Sequence, residues 1–288
     1  MSKQTNYINS DLTEGVLTLT LNDPSTKNAM GLEMANELLQ ALSEFSKDSQ
    51  SRVILITGNG SSFCSGANVH NMNSNADLID SDTSLNADPW KQFEDSREIT
   101  PKPDPNKSDE IDIVRNITRH IYQLRKPSVA AVNGPAIGFG MGLSLSCDIR
   151  IASKDAVFRE AFVNVGLIPA DGSCWYLPRM IGLSNTLLYQ YTGDPIVADE
   201  AYRMGLVSTV TEPEKLMTTS SELCRRLSTG ASYSISIIKK LVQLSSNLDY
   251  EESMDLSGIA QNIVRKTYDH KEGVRAFIEK RNPLFKGF

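Results

Sequence analysis

The sequence predicts an α/β fold, in which strands and helices alternate over the first two thirds of the chain and a helical region follows. The chain opens with strand, helix and strand patterns, which is the alternation typical of a parallel sheet. Further strand patterns follow the middle of the chain, and residues 213–280 are mostly amphipathic helix. The strand patterns lie at residues 16–22, 52–58, 128–132, 148–153 and 206–211.

The opening elements are predicted by their hydrophobic periods. Residues 16–22 alternate leucine with threonine, which indicates a half-buried strand. RVILITG at 52–58 is a short apolar run typical of a strand buried on both faces. Between them, residues 31–47 carry apolar side chains at helical spacing: Leu32, Ala35, Leu38, Leu39, Leu42 and Phe45.

Residues 74–112 differ in composition from the rest of the chain. They are polar, contain four prolines and show little periodicity, so they predict a long loop. A lid or pocket wall and a featureless insertion both fit this segment. Helical spacing returns at 111–124, and further helices are predicted around Trp175–Ile181, 184–192 and 196–204.

The composition of the chain argues against nucleic acid and membranes as binding partners. The 288 residues carry a net charge of −6, which disfavours nucleic acid as the main partner, and no apolar run is long enough for a membrane span. The N-terminus lacks a signal-peptide pattern, so we expect a cytoplasmic protein. The four cysteines and three histidines are scattered and predict neither disulfides nor a metal site.

A glycine run lies between the strand at 128–132 and the next predicted helix, which begins near Phe139. In NGPAIGFGMGLSLSCDI, four glycines fall within nine residues, although glycine disfavours helix by about 1 kcal/mol relative to alanine. Unpaired N–H groups at this helix start could bind an anion or a developing oxyanion. Tight packing of a small-residue helix is the alternative. Leu143 stands where a dinucleotide fingerprint needs glycine, which disfavours that interpretation.

A second run of small residues, NGSSFCSGANVH, follows the strand at 52–58. Gly66-Ala67 could offer another exposed N–H. If the fold brings the two strand ends together, their amides would form a two-donor oxyanion hole.

Three stretches together resemble the crotonase (enoyl-CoA hydratase/isomerase) superfamily: FCSGANVH at 63–70, AVNGPAIGFGMGLSLSCDIRIAS at 131–153 and FVNVGLIPADGSCWYLPRMIG at 162–182. The resemblance implies a spiral of strand-strand-helix units over residues 1–212, in which 74–112 is a variable loop or lid. It also implies a C-terminal helical region at 213–288 used in trimerisation, and a homotrimer or dimer of trimers. The implied substrate is a coenzyme A thioester, and no cofactor is implied.

By motif position, the resemblance implies that the backbone N–H groups of Ala67 and Phe139 hold the thioester carbonyl, with Gly66 and Gly138 beside them. Hydratases of the family carry two glutamates that activate water. Here Gly142 and Phe162 occupy those two positions, which argues against ordinary two-glutamate hydration.

Asp171 is the nearest remaining acid and the predicted catalytic group. Relatives with an aspartate near this turn include isomerases that move a double bond and dehalogenase-type members. Many of those isomerases carry it at the position of Ala170, whereas a hydratase-like group of relatives matches Asp171. Asp171 followed by Gly172-Ser173 is also a good N-cap for the next helix, and both interpretations stay open.

Glu160 is a possible second acid. If FREAF is extended, Phe158, Glu160 and Phe162 share one face, so Glu160 could look toward the pocket. A carboxylate that is solvated, or ion-paired with Arg159 or another cation, is the alternative. Phe162 is expected either to line the acyl pocket or to pack in the core.

Substrate contacts follow from the resemblance. Lys27, next to Ala29, matches a basic position at the coenzyme A entrance. His70 stands where many relatives carry lysine, and Asn68 replaces the usual aspartate. Lys280, with Arg281, could reach the nucleotide end, although solvated positions explain these side chains equally well.

The sequence therefore favours an acyl-CoA-processing enzyme, with double-bond isomerisation ahead of hydration at an atypical site. A non-catalytic acyl-CoA-binding pseudoenzyme is the further alternative. Neither nucleic acid nor a membrane is an expected partner.

Overall fold

The computed structural model describes residues 6–67, 88–98 and 110–287. Within these ranges the strands are β1 Ile8–Thr13, β2 Val16–Leu21, β3 Val53–Gly58, β4 Ser128–Val132, β5 Ala136–Ile137, β6 Ile149–Ser153, β7 Val157–Arg159, β8 Ile196–Val197 and β9 Thr209–Thr211. The helices are α1 Leu32–Lys47, α2 Pro89–Glu98, α3 Glu110–Gln123, α4 Phe139–Ser146, α5 Ser173–Ile181, α6 Leu183–Thr192, α7 Ala198–Arg203, α8 Leu216–Ser228, α9 Ser232–Ser245, α10 Tyr250–Val264 and α11 Tyr268–Glu279.

The larger sheet has the strand order β1-β2-β3-β4-β6-β9. Only β1 is antiparallel to its neighbour in this sheet, and the register of the central pair matches Ile54 with Ser128. The five strands predicted from the sequence all lie in it. The carboxyl ends of β3 and β4 consequently meet at one edge, where both small-residue runs begin.

Both faces of the central strands are buried, as expected for a parallel sheet covered by helices. On one face, Ile54 and Ile56 belong to a core cluster that includes residues of α1, α3 and α4. On the other face, Val53 and Leu55 pack with Leu216 of α8. Each such fully buried aliphatic side chain contributes about 1.5–3 kcal/mol, so these two layers dominate the stability of the domain.

The smaller sheet, β5-β7-β8, adjoins the glycine run. β5 pairs in parallel with β7, matching Ala136 with Phe158. β7 ends at Arg159, and a 3-10 helix follows at Ala161–Val165. FREAF is therefore extended only in its first part, so the condition for Phe162 to share a face with Phe158 and Glu160 is not met: the chain turns after Glu160.

The segment 74–112 is described only in part, and the described part is helical. α2 occupies Pro89–Glu98, with Trp90 and Phe93 both exposed and their ring centroids 5.9 Å apart. The prediction of one long loop is wrong for these residues, since a short polar helix gives little periodic signal. The helix predicted at 111–124 is confirmed as α3.

The C-terminal region consists of the four helices α8–α11, as the sequence predicts. Two buried acids of α11 anchor the final residues: Asp269 accepts hydrogen bonds from the Lys286 and Gly287 N–H groups, and Glu272 accepts from Leu284 N–H and Arg281. In the described chain, no helix is both long and apolar enough to cross a membrane.

Glycines let α4 lie directly against the turn that follows β3. A Cβ on Gly140 would lie 2.2 Å from the Cys64 carbonyl oxygen, and one on Gly134 would lie 2.1 Å from that of Ser61. Contacts this short are forbidden for any other residue. The close approach of the two turns, which positions the site, therefore requires glycine at both places.

Gly140→Ala should destabilise the fold by about 1–3 kcal/mol, because the new methyl group must displace the backbone at Cys64. Gly258→Ala is the matched control: this helical glycine of α10 has open space around it, so alanine should stabilise by up to about 1 kcal/mol. Urea unfolding of both variants measures the difference. Equal stability of the two would contradict the packing described for α4.

Candidate active site

Each of the two predicted amide donors follows a glycine with positive φ. Gly66 has φ 101° and precedes Ala67, and Gly138 has φ 51° with ψ −120° and precedes Phe139. These backbone conformations strongly favour glycine. Phe139 is the first residue of α4, where an N–H has no acceptor within its own helix.

The two turns lie side by side. Ile137 N–H donates to the Cys64 carbonyl at 2.9 Å, and a Cβ on Gly66 would lie 3.9 Å from the Phe139 nitrogen. The Gly66 carbonyl in turn accepts a hydrogen bond from the Met30 N–H at 2.8 Å. The structure therefore brings the Ala67 and Phe139 turns together, as a two-donor site needs.

Phe162 stands over Gly138. Three atoms of its ring would be 3.6–3.9 Å from a Cβ at that glycine, and the side chain is half-buried. The ring reaches this position from the 3-10 helix rather than from a strand. It lies next to the Phe139 turn, where the sequence predicted a wall of the acyl pocket.

The Asp171 carboxyl group fills the space beside Gly142. A Cβ at Gly142 would lie 2.1 Å from Asp171 Oδ2 and 2.3 Å from its Cγ, so no other residue at position 142 is compatible with this placement. The side chain is 1% exposed. The position where the family resemblance implies a hydratase glutamate is thus occupied by a carboxylate that comes from another segment.

Only one of the two carboxyl oxygens of Asp171 accepts hydrogen bonds. Its Oδ1 accepts from the Ser173 N–H at 3.0 Å and from the Ser173 hydroxyl at 2.7 Å, while Oδ2 has no hydrogen-bond donor. The N-cap of α5 is Gly172 rather than Asp171, although Asp171 does satisfy an N–H of the first turn. Helix capping uses Oδ1 alone, so it does not account for the buried Oδ2 that has no donor.

Glu160 lies in the same buried region. It is 1% exposed and neither carboxyl oxygen has a donor. Burial, followed by the charge of Asp171, raises the pKa of Glu160 to about 8, and burial also raises the pKa of Asp171. The solvated or ion-paired alternative is wrong, because the Arg159 guanidinium donates to Gly193 O and Asn164 Oδ1 instead.

Sequence reasoning missed Asn28, which is fully buried and supports the Ala67 turn. Its side-chain amide donates to the carbonyls of Asn59 and Ser62, at 2.9 and 2.8 Å, and its oxygen accepts from Asp23 N–H. Lys27 consequently lies beside the turn: its carbonyl accepts from Ser65 N–H, and its side chain is exposed. Asn28 has a positive φ of 58°, and the asparagine itself is the only feature of the sequence that indicates this conformation.

The remaining predicted contacts are less well defined. Ala29 is half-buried, and its N–H donates to the Thr26 hydroxyl. Lys280 ends α11 with an exposed side chain that makes no hydrogen bond or ion pair within the described chain. Arg281 is paired with Glu272. Asn68 and His70 lie outside the described residues.

A groove of about 590 Å³ reaches the acid-bearing turn. It runs between α3 and α5, and Ala170, Asp171 and Gly172 form part of its wall. A larger cleft of about 820 Å³ opens at the opposite, amino end of β3 and β4, next to Arg52 and Pro127. Of these two, the smaller groove borders the turn that carries Asp171, and its lining includes neither the Ala67 nor the Phe139 turn.

The described residues contain no group of three His, Cys, Asp or Glu side chains that could hold a metal ion. The groups that the described residues bring to the site are two backbone amides and two buried carboxyl groups.

Gly142→Ala should destabilise the protein by about 1–3 kcal/mol, because the methyl group collides with the Asp171 carboxyl group. In the double variant Gly142→Ala/Asp171→Ala, part of this cost should disappear, giving a coupling energy of about 0.5–3 kcal/mol in denaturant unfolding. The control pair is Gly142→Ala with Asp194→Ala: Asp194 is exposed, so the effects of these two substitutions on stability should add. Additive effects in the Asp171 pair would contradict the contact.

Comparison with known proteins identifies the family. The enoyl-CoA hydratase/isomerase family model matches residues 11–99 and 94–287. The chain is 32% identical to 1,2-epoxyphenylacetyl-CoA isomerase of Escherichia coli, over 98% of both chains. It is 33% identical to trans-2-decenoyl-[acyl-carrier-protein] isomerase of Streptococcus mutans, over 95% of both. The structure of an enoyl-CoA hydratase from Bacillus anthracis superposes with a TM-score of 0.83 at 27% identity, covering 98% of this chain and 100% of that one. The chain belongs to the enoyl-CoA hydratase/isomerase family and has the crotonase fold.

Proposed function

We propose that the protein is an enoyl-thioester isomerase, in which Asp171 moves a proton between two carbons of an acyl-CoA. The observation that carries this proposal is the Asp171 carboxyl group beside Gly142. Gly142 is three residues beyond Phe139 on α4, a rise of about 4.5 Å. A thioester bound at the Phe139 amide would therefore place its α-carbon near this acid.

The oxyanion site supports the same reaction. The Ala67 and Phe139 N–H groups would both donate to the thioester oxygen, on which charge concentrates when an enolate forms. Loss of one such donor costs about 2.7–4 kcal/mol of transition-state stabilisation in comparable sites. Phe162, over Gly138, would line the acyl pocket on the other side of the same turn.

The reaction needs one base and no cofactor. The Asp171 carboxylate forms an O–H bond as the C2–H bond of a 3-enoyl thioester breaks, and the electron pair passes through the thioester to its oxygen as a dienolate. The same proton is then returned to C4, the double bond forms between C2 and C3, and the carboxylate is regenerated. Proton and charge balance without a further reactant.

The coenzyme A part of the substrate would lie at the exposed side of the Ala67 turn. Lys27 borders this turn through the bond from Ser65 N–H to its carbonyl, and its exposed ammonium group suits a phosphate. Gly66, Ala29, Asn68, His70 and Lys280 remain proposed substrate contacts on the strength of the family motif.

Hydration is the second candidate, because the two acids considered in the sequence, Asp171 and Glu160, are both buried at the site. Two acids could hold and activate a water molecule, and the relative from Bacillus anthracis is named a hydratase. Isomerisation is favoured because the Asp171 and Glu160 oxygens are enclosed and one acid is sufficient, and because two relatives are named isomerases. A non-catalytic acyl-CoA binder would show binding without turnover.

Asp171→Asn should reduce isomerisation of 3-enoyl-CoA by about 10²–10⁴-fold, the usual contribution of a positioned acid or base, because the amide cannot accept the proton. The amide keeps the shape of the side chain and an acceptor for Ser173. Spectrophotometric assays with 3-enoyl-CoA and 2-enoyl-CoA measure both candidate reactions, with Asp194→Asn as the control. Undiminished turnover by the Asp171 variant would remove this residue from the mechanism.

We also propose that α9–α11 form the interface of a homotrimer or a dimer of trimers. These helices leave large apolar side chains exposed, including Val242 at 66%, Phe277 at 85% and Ile278 at 73%. Large exposed apolar side chains on successive helices are the kind of surface that a subunit interface covers.

Light scattering coupled to size-exclusion chromatography should give a mass of three or six times the 31.8 kDa chain. Phe277→Asp should lower that mass, because a charge is then buried between subunits. Leu12→Asp, on the exposed side of β1, should leave it unchanged. A wild-type mass of one chain would contradict the proposed assembly.

A further inference from the structure

Three carboxyl oxygens at the candidate site have no hydrogen-bond donor. They are both oxygens of Glu160 and Oδ2 of Asp171, and each is inaccessible to solvent. A buried ionised carboxylate without donors is strongly disfavoured, and the negative charge of Asp171 acts on Glu160, so ionising both groups at neutral pH is unfavourable. The arrangement becomes favourable when one carboxyl group keeps its proton and donates it to the other.

The groups next to the two acids donate no hydrogen bond to these three oxygens. The Ser173 hydroxyl has one hydrogen, which it donates to Asp171 Oδ1, and its effect on the pKa of Glu160 is smaller than those of burial and of the Asp171 charge. The Arg159 guanidinium, next in the chain, is directed to Gly193 O and Asn164.

The helix α3 brings two arginines to the groove that Asp171 borders. Neither is paired with Asp171 or Glu160: Arg115 forms an ion pair with Asp112, and Arg119 donates to Asn116 Oδ1.

On α5, Cys174 is the other titratable neighbour, and its thiol pKa is raised by burial first and then by both acids. On α4, the residue in contact with Asp171 is Gly142, which has no side chain. Since no described cation is bonded to either acid, a proton held between the two carboxyl groups is the charge that offsets the pair.

We propose that Glu160 and Asp171 form a dyad that shares one proton, in which Glu160 acts as a positioning residue that fixes the charge of the catalytic Asp171. This inference rests on the proposed function and adds a partner to its base. Ser173 holds Asp171 Oδ1, and the Glu160 carboxyl group donates its proton to Asp171 Oδ2. The dyad carries a single negative charge, so Asp171 stays ionised at neutral pH in a dry pocket.

The dyad defines the pH range of activity. At low pH the second carboxyl group is also protonated and the base is lost. As the pH rises through about 8, the pKa to which burial and Asp171 raise Glu160, the shared proton is lost. A second negative charge then opposes the developing dienolate, so the rate falls again. A bell-shaped profile reports these two apparent values for the pair.

Glu160→Gln keeps the shape of the glutamate side chain and offers an N–H donor to Asp171, but its amide does not titrate between pH 5 and 10. In kcat/KM measured from pH 5 to 10 with 3-enoyl-CoA, the wild type should lose at least tenfold above pH 8, whereas the variant should keep its rate there. Both should agree within about tenfold near pH 7. Glu222→Gln, on the exposed face of α8, should retain the wild-type profile. An alkaline limb that is unchanged in Glu160→Gln would overturn the proposal.

A second measurement needs no substrate. Because Glu160 has an ordinary pKa in the unfolded chain and a raised one in the fold, the folded state binds an extra proton between about pH 4.5 and 8. Wild-type stability therefore falls with rising pH relative to Glu160→Gln, by at most about tenfold in the unfolding constant per pH unit.

Urea unfolding at pH 5, 6, 7 and 8 should show this widening difference, and a difference that is independent of pH would overturn the dyad. The stability result separates the two proposals. A fully active Asp171→Asn enzyme would contradict the isomerase mechanism, whereas the unfolding data test whether Glu160 keeps its proton in the fold, as the dyad requires.

Discussion

The contact between the Asp171 carboxyl group and Gly142 is the interaction on which the site depends. It exists because α4 has no side chain at that position, and because the turn before α5 carries an acid of the right length. The same helix begins at Phe139, whose N–H faces away from its own helix. One short element thus carries both the amide and the surface against which the acid packs.

The parallel pairing of β3 and β4 makes this possible. Strands that run in the same direction end at the same edge, and glycine contacts then let the two following turns touch through their backbones. The amides of Ala67 and Phe139 belong to these two turns. Backbone positions fixed by a buried sheet are rigid, which suits donors that must be in place before charge develops on a substrate oxygen.

Much of this fold could be predicted from the sequence, because the central strands and the amphipathic helices follow clear periods. β1 could not, since INSDLT has one buried residue and five exposed ones and so lacks an apolar alternation. The short strands of the second sheet, with two or three residues each, are below the length at which a pattern can be recognised.

The candidate site was predictable where it depends on local backbone. Glycines before Ala67 and Phe139 mark the two turns, and the absence of an acid at 142 directs attention to Asp171. The burial of Glu160 was not predictable, because its neighbours Asp171, Ser173 and Cys174 come from α5 and the turn before it, more than ten residues along the chain. The fit of Asp171 to Gly142 joins residues 29 positions apart, and only the tertiary structure reveals such a contact.

The most direct test of this account is a crystal structure with a non-reactive 3-enoyl-CoA analogue. We expect the thioester oxygen within about 3 Å of both the Ala67 and the Phe139 nitrogens, and Asp171 Oδ2 within about 3.5 Å of the substrate carbon C2 or C4. A thioester bound away from these amides, or another side chain facing C2 with Asp171 still enclosed, would contradict it.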